Sequence, residues 1–254
     1  MTGAQFGALA QCVTADNPGP LTLDGTNTWL LAASESAEVV VVDPGPDEPD
    51  HLSQVVDAVA GRRVAAVLLT HSHADHSASA AAFARSASAP LLAADPALRT
   101  AELPSTVDAA GLRIGVLATP GHTRDSVCFL IASERLVLTG DTVLGRGTSL
   151  IDHPEGSLGD YLDSLQLLHG LATAGQLAAL LPGHGPVITD PVGVLRMYRE
   201  HRADRLEQVR QAVAAGARTV EEVVSICYLD VPEQLWPAAG RSVAAQMHYL
   251  GLEV

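Results

Sequence analysis

No lysine occurs in this 254-residue chain: all fifteen basic side chains are arginine, set against twenty-nine acidic ones, for a net charge of −14. That deficit of positive charge excludes broad electrostatic attraction to nucleic acid or to an anionic membrane and leaves room only for a local basic site. The missing lysine, together with abundant alanine, reads as the codon bias of a GC-rich genome and carries little functional weight. Aromatic residues are also scarce, at 4%, and alanine fills the difference. Cys12, Cys128 and Cys227 stand far apart with no CxxC pair. This excludes a disulfide framework and a cysteine zinc site, and leaves the cysteines as small buried apolar groups. No basic stretch followed by an apolar one opens the chain, and no run approaches the ~18 apolar residues of a membrane helix. The expected setting is a reducing cytoplasm with no membrane partner. What is present, 47% apolar and 17% charged residues, suits a folded globule of one large domain with, at most, a small appendage.

From residue 1 to about 190, strands alternate with turns and short helices. "NTWLLA" (27–32), "EVVVVDPG" (38–45), "VAAVLLTH" (64–71) and "PLLAAD" (90–95) read as strands. "DHLSQVVDAVAG" (50–61), with a capping aspartate and a terminal glycine, and the alanine-rich 77–87 read as helices. A second series follows: strands over 112–122, 126–133 and 135–141, a helix over 158–171, and "LAALLPGHG" (177–185). Candidate ligands fall at the strand ends, where open α/β sheets place their sites. Beyond this, Asp190 and Pro191 look like the cap and first residue of a long helix. Two shorter helices, over 219–228 and from 233 to 252, would complete a C-terminal helical subdomain, residues 191–254, with no basic recognition helix.

The stretch "LLTHSHADHS" (68–77) crowds three histidines and an aspartate into one loop. His71 and His73 are two apart; in an extended segment such residues point the same way and can reach one ion. Asp75 and His76 then sit at a helix start and can face a second. His122 in "ATPGHT", Asp141 in "LTGDT" and His184 in "LPGHG" each follow an apolar strand. His71, His73 and His122 would hold one metal and Asp75, His76 and His184 the other, with Asp141 bridging. Imidazole and carboxylate without thiolate suit zinc, and also admit iron or manganese. Two such ions ~3.5–4 Å apart can share a water whose pKa falls toward ~7. A purely structural zinc site would be closed with four ligands and would need no bridging carboxylate.

This H-x-H-x-D-H motif, followed by His, Asp and His in strand-end turns, resembles the metallo-β-lactamase superfamily over residues 1–190. The resemblance implies an α/β fold, an αββα sandwich with the metals at one edge, followed here by a small winged-helix-like appendage. It also implies that Asp43, in "VVVVDPG", supports the ligand histidines, fixing their tautomers. An aspartate at the bridging position makes a true β-lactamase a poor match, since thioesterases, lactonases and nucleases of the superfamily carry one there. "NPGPLTLDGTNTWL", "GDTVLGRGTSLID", "GDYLDSLQLL", "LPGHGPVI" and "YREHRADRLEQV" look like the β-lactamase-like protein-two branch, with glyoxalase II, a thioesterase, as neighbour.

A binuclear metallohydrolase is the reading that follows, with Asp75 and His76 as catalytic residues and Asp75 orienting the hydroxide. Whole-chain resemblance favours a phosphodiesterase of the single-strand endoribonuclease type, acting on short RNA. A thioesterase or lactonase acting on a small molecule is the alternative, and mechanism alone cannot choose, because both need the same hydroxide. Asn27, Thr28, Arg146, His201 and Arg202 are the candidate substrate contacts. For His201 and Arg202 the rival expectation is an ion-paired solvent face, given the interleaved Glu200, Asp204 and Glu207.

Overall fold

A computed structural model describes residues 5–6, 9–229 and 231–252. Two sheets face each other. One contains, in spatial order, β1 (Gln5–Phe6), β2 (Ala10–Thr14), β3 (Asn27–Leu31), β4 (Glu38–Val42), β5 (Arg63–Leu68), β6 (Leu91–Ala93) and β7 (Ala101–Glu102). The other is built from β8 (Thr106–Ala109), β9 (Leu112–Ala118), β10 (Val127–Ile131), β11 (Leu136–Gly140) and β12 (Ala179–Pro182), adjacent in sequence order. Helix α1 (Pro49–Val59) links the parallel strands β4 and β5. The short α2 (Ala74–Ser77) and α3 (Ala80–Ser86) link β5 to the parallel β6, and α4 (Leu158–Thr173) links β11 to the parallel β12. A C-terminal group follows: α5 (Pro191–Ala214), α6 (Val220–Cys227), a single 3-10 turn at Glu233–Leu235 and α7 (Trp236–Tyr249).

Side-chain alternation explains the layers. Val127, Phe129 and Ile131 of β10 enter the core between the sheets, whereas Cys128 enters a second core under α4 and α5. Leu136 and Leu138 against Val137, and Ala179 and Leu181 against Leu180, divide the same way. Because successive strand residues point to opposite faces, a sheet covered on both sides must be apolar at every position. Each fully buried Phe, Ile or Leu there contributes about 1.5–3 kcal/mol. A third core joins the end of α5 to α6 and α7 through Val209, Val223, Val224 and Val243. The 24-residue α5 belongs to two cores, giving Leu195, Tyr198 and Leu206 to the second and Val209 and Ala212 to the third. Among the described residues, no helix is long and apolar enough to cross a membrane.

Local chemistry corrects several sequence expectations. The N-cap of α1 is Glu48, with no side-chain cap bond; Pro49 opens the helix and Asp50 lies in the first turn. Proline's fixed φ starts a helix without a capping side chain. The helix expected over 77–87 starts instead at Ala80, because the Ser79 amide and hydroxyl both donate to the Gly45 carbonyl while the Ser79 carbonyl accepts from the Phe83 amide. At α5 the expected cap holds: Asp190 accepts from the Gly193 amide at 3.0 Å. Strands β2 and β8 carry no clear sequence signal, since Gln11, Thr106 and Asp108 interrupt any apolar pattern.

Candidate metal centre

The parallel β4, β5, β11 and β12 bring their carboxyl ends to one edge of the sandwich, and the candidate ligands leave from there. His73 is the residue before α2, with extended backbone (φ −57°, ψ 141°), so His71 and His73 point inward together while Asp75 and His76 occupy the first turn of α2. Gly183 precedes His184 by necessity, because a Cβ there would sit 2.6 Å from Asp141 Oδ1 and 2.7 Å from His76 Cε1. Gly121 plays the same part before His122: at φ +137° its missing Cβ would lie 2.3 Å from the Tyr161 backbone.

The side chains converge in two groups. His71, His73, His122 and Asp141 form one, Asp75, His76 and His184 the other, with the ligand atoms of each group within 4.8 Å of one another. Asp141 faces both groups: Oδ2 is 3.7 Å from His122 Nε2 and 3.4 Å from His184 Nε2, and Oδ1 is 3.4 Å from His76 Nε2. The structure thus brings together all seven candidate ligands, with Asp141 grouped with His71, His73 and His122 and its carboxylate also within 3.4 Å of His76 and His184.

Each histidine keeps one nitrogen inward because its other nitrogen is held. His76 Nδ1–H donates to Asp43 Oδ2 at 3.0 Å, His122 Nδ1–H to the Leu150 carbonyl at 2.7 Å, and His184 Nδ1–H to the Gly25 carbonyl at 3.1 Å. His71 Nδ1 lies 3.0 Å from the Thr70 hydroxyl, which itself donates to Asp43 Oδ2 at 2.6 Å. Asp43 therefore orients a histidine of each group, one directly and one through Thr70. Its φ of +50° is a conformation aspartate tolerates better than most residues. His73 is reversed: Nε2–H donates to Asp152 Oδ2 at 2.9 Å and Nδ1 points inward, 3.0 Å from His122 Nε2. The contacts of Thr70 and Asp152 have no signal in the sequence; "GTSLID" contains Asp152 but has no periodicity that aims it at His73.

The inward atoms fit divalent cations. His71 Nε2 and Asp141 Oδ1 are buried with no hydrogen-bond partner, an arrangement that costs about 1–3 kcal/mol per group unless something fills it. His76 Nε2 faces His184 Nε2 at 3.2 Å, so two ring nitrogens meet with no side chain between them. Electrostatics agree. Burial opposes charge on His76, yet the Asp141 and Asp43 carboxylates hold its pKa well above the ordinary value. Burial likewise opposes charge on His184, but Asp141 and Asp75 raise it to about 9. Burial alone would raise Asp141; the neighbouring His184 and His76 instead hold it well below the carboxylate range. Without metal the carboxylates are balanced by protons on these two imidazoles, and a cation would displace them.

The remaining candidates divide. Asn27 and Thr28 are buried and are not among the residues that line the cavity at the centre. Asn27 Nδ2 donates to the Pro182 and Gly185 carbonyls and braces the turn that carries His184, and Thr28 Oγ1 donates to the Asp43 carbonyl and braces the turn that carries Asp43. Both side chains are thus engaged by backbone carbonyls of the protein. Arg146 and His201 line the cavity at the centre, but Arg146 is held in an exposed bidentate pair with Asp24 at 2.6 Å. Arg202 also lines it and is 3% exposed, donating to the Ser149 carbonyl with its guanidinium 5.0 Å from the Tyr161 ring. The solvent-face reading fails for Arg202 because α5 packs that side against α4.

The two groups open into a cavity of about 550 Å³ between the sandwich and the C-terminal helices. His73, Asp75, His122, Asp141 and His184 form its floor, while Val231, Leu235, Ala238 and Ala239 form the facing wall.

Residues 21–104 and 94–184 match the model described as metallo-beta-lactamase superfamily, and residues 219–250 match the beta-lactamase associated winged helix domain. An atrochrysone carboxyl ACP thioesterase from Aspergillus chevalieri is 33% identical over 88% of this chain and 74% of its own length. A beta-lactamase-like protein 2 homolog from Drosophila melanogaster is 29% identical over 89% of this chain and 82% of its own. A metallo-beta-lactamase family protein from Thermus thermophilus has the same fold, with a TM-score of 0.78 at 20% identity, covering 95% of this chain and 93% of its own.

Proposed function

Since the chain belongs to the metallo-beta-lactamase superfamily and is a metallohydrolase of that fold, we propose that it hydrolyses an acyl thioester. The observation that carries this reading is the cavity. Its floor is the ligand set, its facing wall is aliphatic, and the four arginines along it are each engaged by the protein: Arg146 by Asp24, Arg202 by Ser149, Arg205 by the Cys227 carbonyl and Arg241 by Asp152. An apolar acyl group fits such a wall, whereas a ribose-phosphate chain needs cations left for its phosphates. The similarity to an acyl carrier protein thioesterase points the same way.

In this reading His71, His73 and His122 would hold one divalent ion and Asp75, His76 and His184 the other, with Asp141 placed between the two groups. Zinc suits the donor set, with iron and manganese as the alternatives to be compared. Two ions bound there supply an activated water at neutral pH and polarise the scissile carbonyl. The protein's own part is orientation and proton handling. Asp43, Thr70, Gly25 and Leu150 fix the imidazole tautomers. Of the two candidate ligand carboxylates that line the cavity, Asp75 is the more exposed, with 29% of its side chain accessible against 11% for Asp141. Burial would raise it, but His184 and His76 keep it below the usual carboxylate value. It is therefore ionised at neutral pH, free to orient the attacking water, accept its proton and return one to the departing thiolate.

A phosphodiesterase acting on short single-stranded RNA, the activity implied by the resemblance of the sequence motifs to the β-lactamase-like protein-two branch, is the second reading. One experiment separates them. Metal-loaded protein is offered aliphatic and aromatic acyl thioesters, with thiol release followed by a thiol-reactive dye, and in parallel an end-labelled single-stranded RNA. Thiol release that disappears in Asp75→Ala is the expected result; RNA cleavage without thiol release would replace the first reading by the second.

A further inference from the structure

One segment, residues 149–152, lies between the ligands and the C-terminal helices and bonds to both. On the inner side, the Ser149 hydroxyl donates to the Asp141 carbonyl, the Leu150 carbonyl accepts from His122, and the Asp152 carboxylate accepts from His73. The Asp152 amide also donates to the His122 carbonyl at 3.1 Å. On the outer side, Arg202 of α5 donates to the Ser149 carbonyl, and Ser242 of α7 accepts from the Ile151 amide at 3.1 Å. Arg241 of α7 reaches Asp152 Oδ1 at 2.8 Å, leaving Oδ2 to His73. The Ile151 side chain is fully buried.

This segment touches three of the four members of the first group, His73, His122 and Asp141. The second group is held differently. His76 is fixed by Asp43 and His184 by the Gly25 carbonyl, both from the first sheet and its loops. The two groups share Asp43, which reaches His71 through Thr70, but only the first group, through His73, His122 and Asp141, is bonded to the 149–152 segment.

Building on the reading of these residues as a metal centre, we propose that Arg241 and Asp152 are positioning residues through which the C-terminal helices set the first metal group. With Arg241 removed, the carboxylate of Asp152 is free to turn toward solvent, and His73 loses the acceptor that keeps Nδ1 inward. The second group keeps all its supports. Outer contacts to ligating histidines typically change metal affinity ~10–100-fold. The expected outcome is therefore a split: one of two ions weakened, the other unchanged.

The test uses the full-length protein stripped by chelator and titrated with zinc against a chromogenic competitor. Arg241→Ala, Asp152→Asn and Arg241→Lys are prepared beside the wild type, each checked by near-ultraviolet circular dichroism and cooperative unfolding. The wild type should bind two ions tightly. Arg241→Ala and Asp152→Asn should bind one with wild-type affinity and one ~10–100-fold more weakly, Arg241→Lys should recover most of the difference, and activity lost in Arg241→Ala should return at excess zinc. Folded variants with two unaltered affinities would overturn the positioning role while leaving the centre intact. Equal weakening of both ions would overturn the division of anchorage, and a wild type that binds no zinc, iron or manganese would remove the centre itself.

Discussion

The floor and the facing wall of the cavity are built by opposite rules. On the floor, every ligand histidine has its outward nitrogen tied to a defined partner, and glycine occupies the places where a Cβ would collide. On the wall, Val231, Leu235, Ala238 and Ala239 present small aliphatic groups with no side-chain hydrogen bond to satisfy. A polar floor in a buried site tolerates few alternatives, because each unpaired group costs about 1–3 kcal/mol. An aliphatic wall tolerates many, since only volume and burial matter. On the proposed thioesterase reading, the chemistry falls to the floor and the choice of acyl group to the wall, in line with the general separation of fold from site.

The comparison can be broken most severely at the floor. Asp75→Ala, at full metal loading, should lower kcat by about 10²–10⁴-fold through lost proton transfer while the unfolding midpoint stays near that of the wild type. Near-normal turnover in that protein would remove Asp75 from the mechanism. A smaller effect is expected at the wall. Ala238→Phe should raise KM for the bulkiest thioesters by roughly tenfold, equivalent to about 1.4 kcal/mol, with zinc stoichiometry and the kcat of the smallest thioester unchanged. If KM is unchanged for all acyl groups, the helices do not line the substrate path. The least effect should come from Arg146→Ala at the cavity mouth. Its pair with Asp24 is exposed, with 52% and 63% of the two side chains accessible, and solvent screens such pairs so that they contribute little to stability. Its unfolding midpoint should shift by no more than a few degrees in a thermal melt. A kcat or KM change beyond about tenfold would make Arg146 a substrate contact after all.

Much of the floor was legible because metal ligands are chemically conspicuous and tied to strand ends. His71, His73, Asp75 and His76 share one short loop, and His122, Asp141 and His184 each close an apolar strand, so residue type and position coincide. The supporting contacts were not legible in the same way. Asp43 could be connected to the histidines only through the family resemblance, and its second route, through the Thr70 hydroxyl to His71, depends on two loops meeting at 2.6 Å. Asn27 stands at a strand start beside the metal edge, and only the fold shows its amide turned toward Pro182 and Gly185. Arg202 sits among Glu200, Asp204 and Glu207, and the charge pattern along α5 does not reveal that α4 covers its face.

By itself, then, the sequence determined the chemistry available: imidazoles and carboxylates without thiolates, on strands whose alternation requires two apolar sheet faces. Those are local properties, fixed by residue type and by the two-residue period of an extended chain. The tertiary structure alone decided which nitrogen of each histidine faces inward, that Asp152 answers to His73 on one side and Arg241 on the other, and that the helices close the cavity. Each of these joins segments far apart in the chain, and contacts of that kind are set by how whole layers pack, which no local pattern encodes.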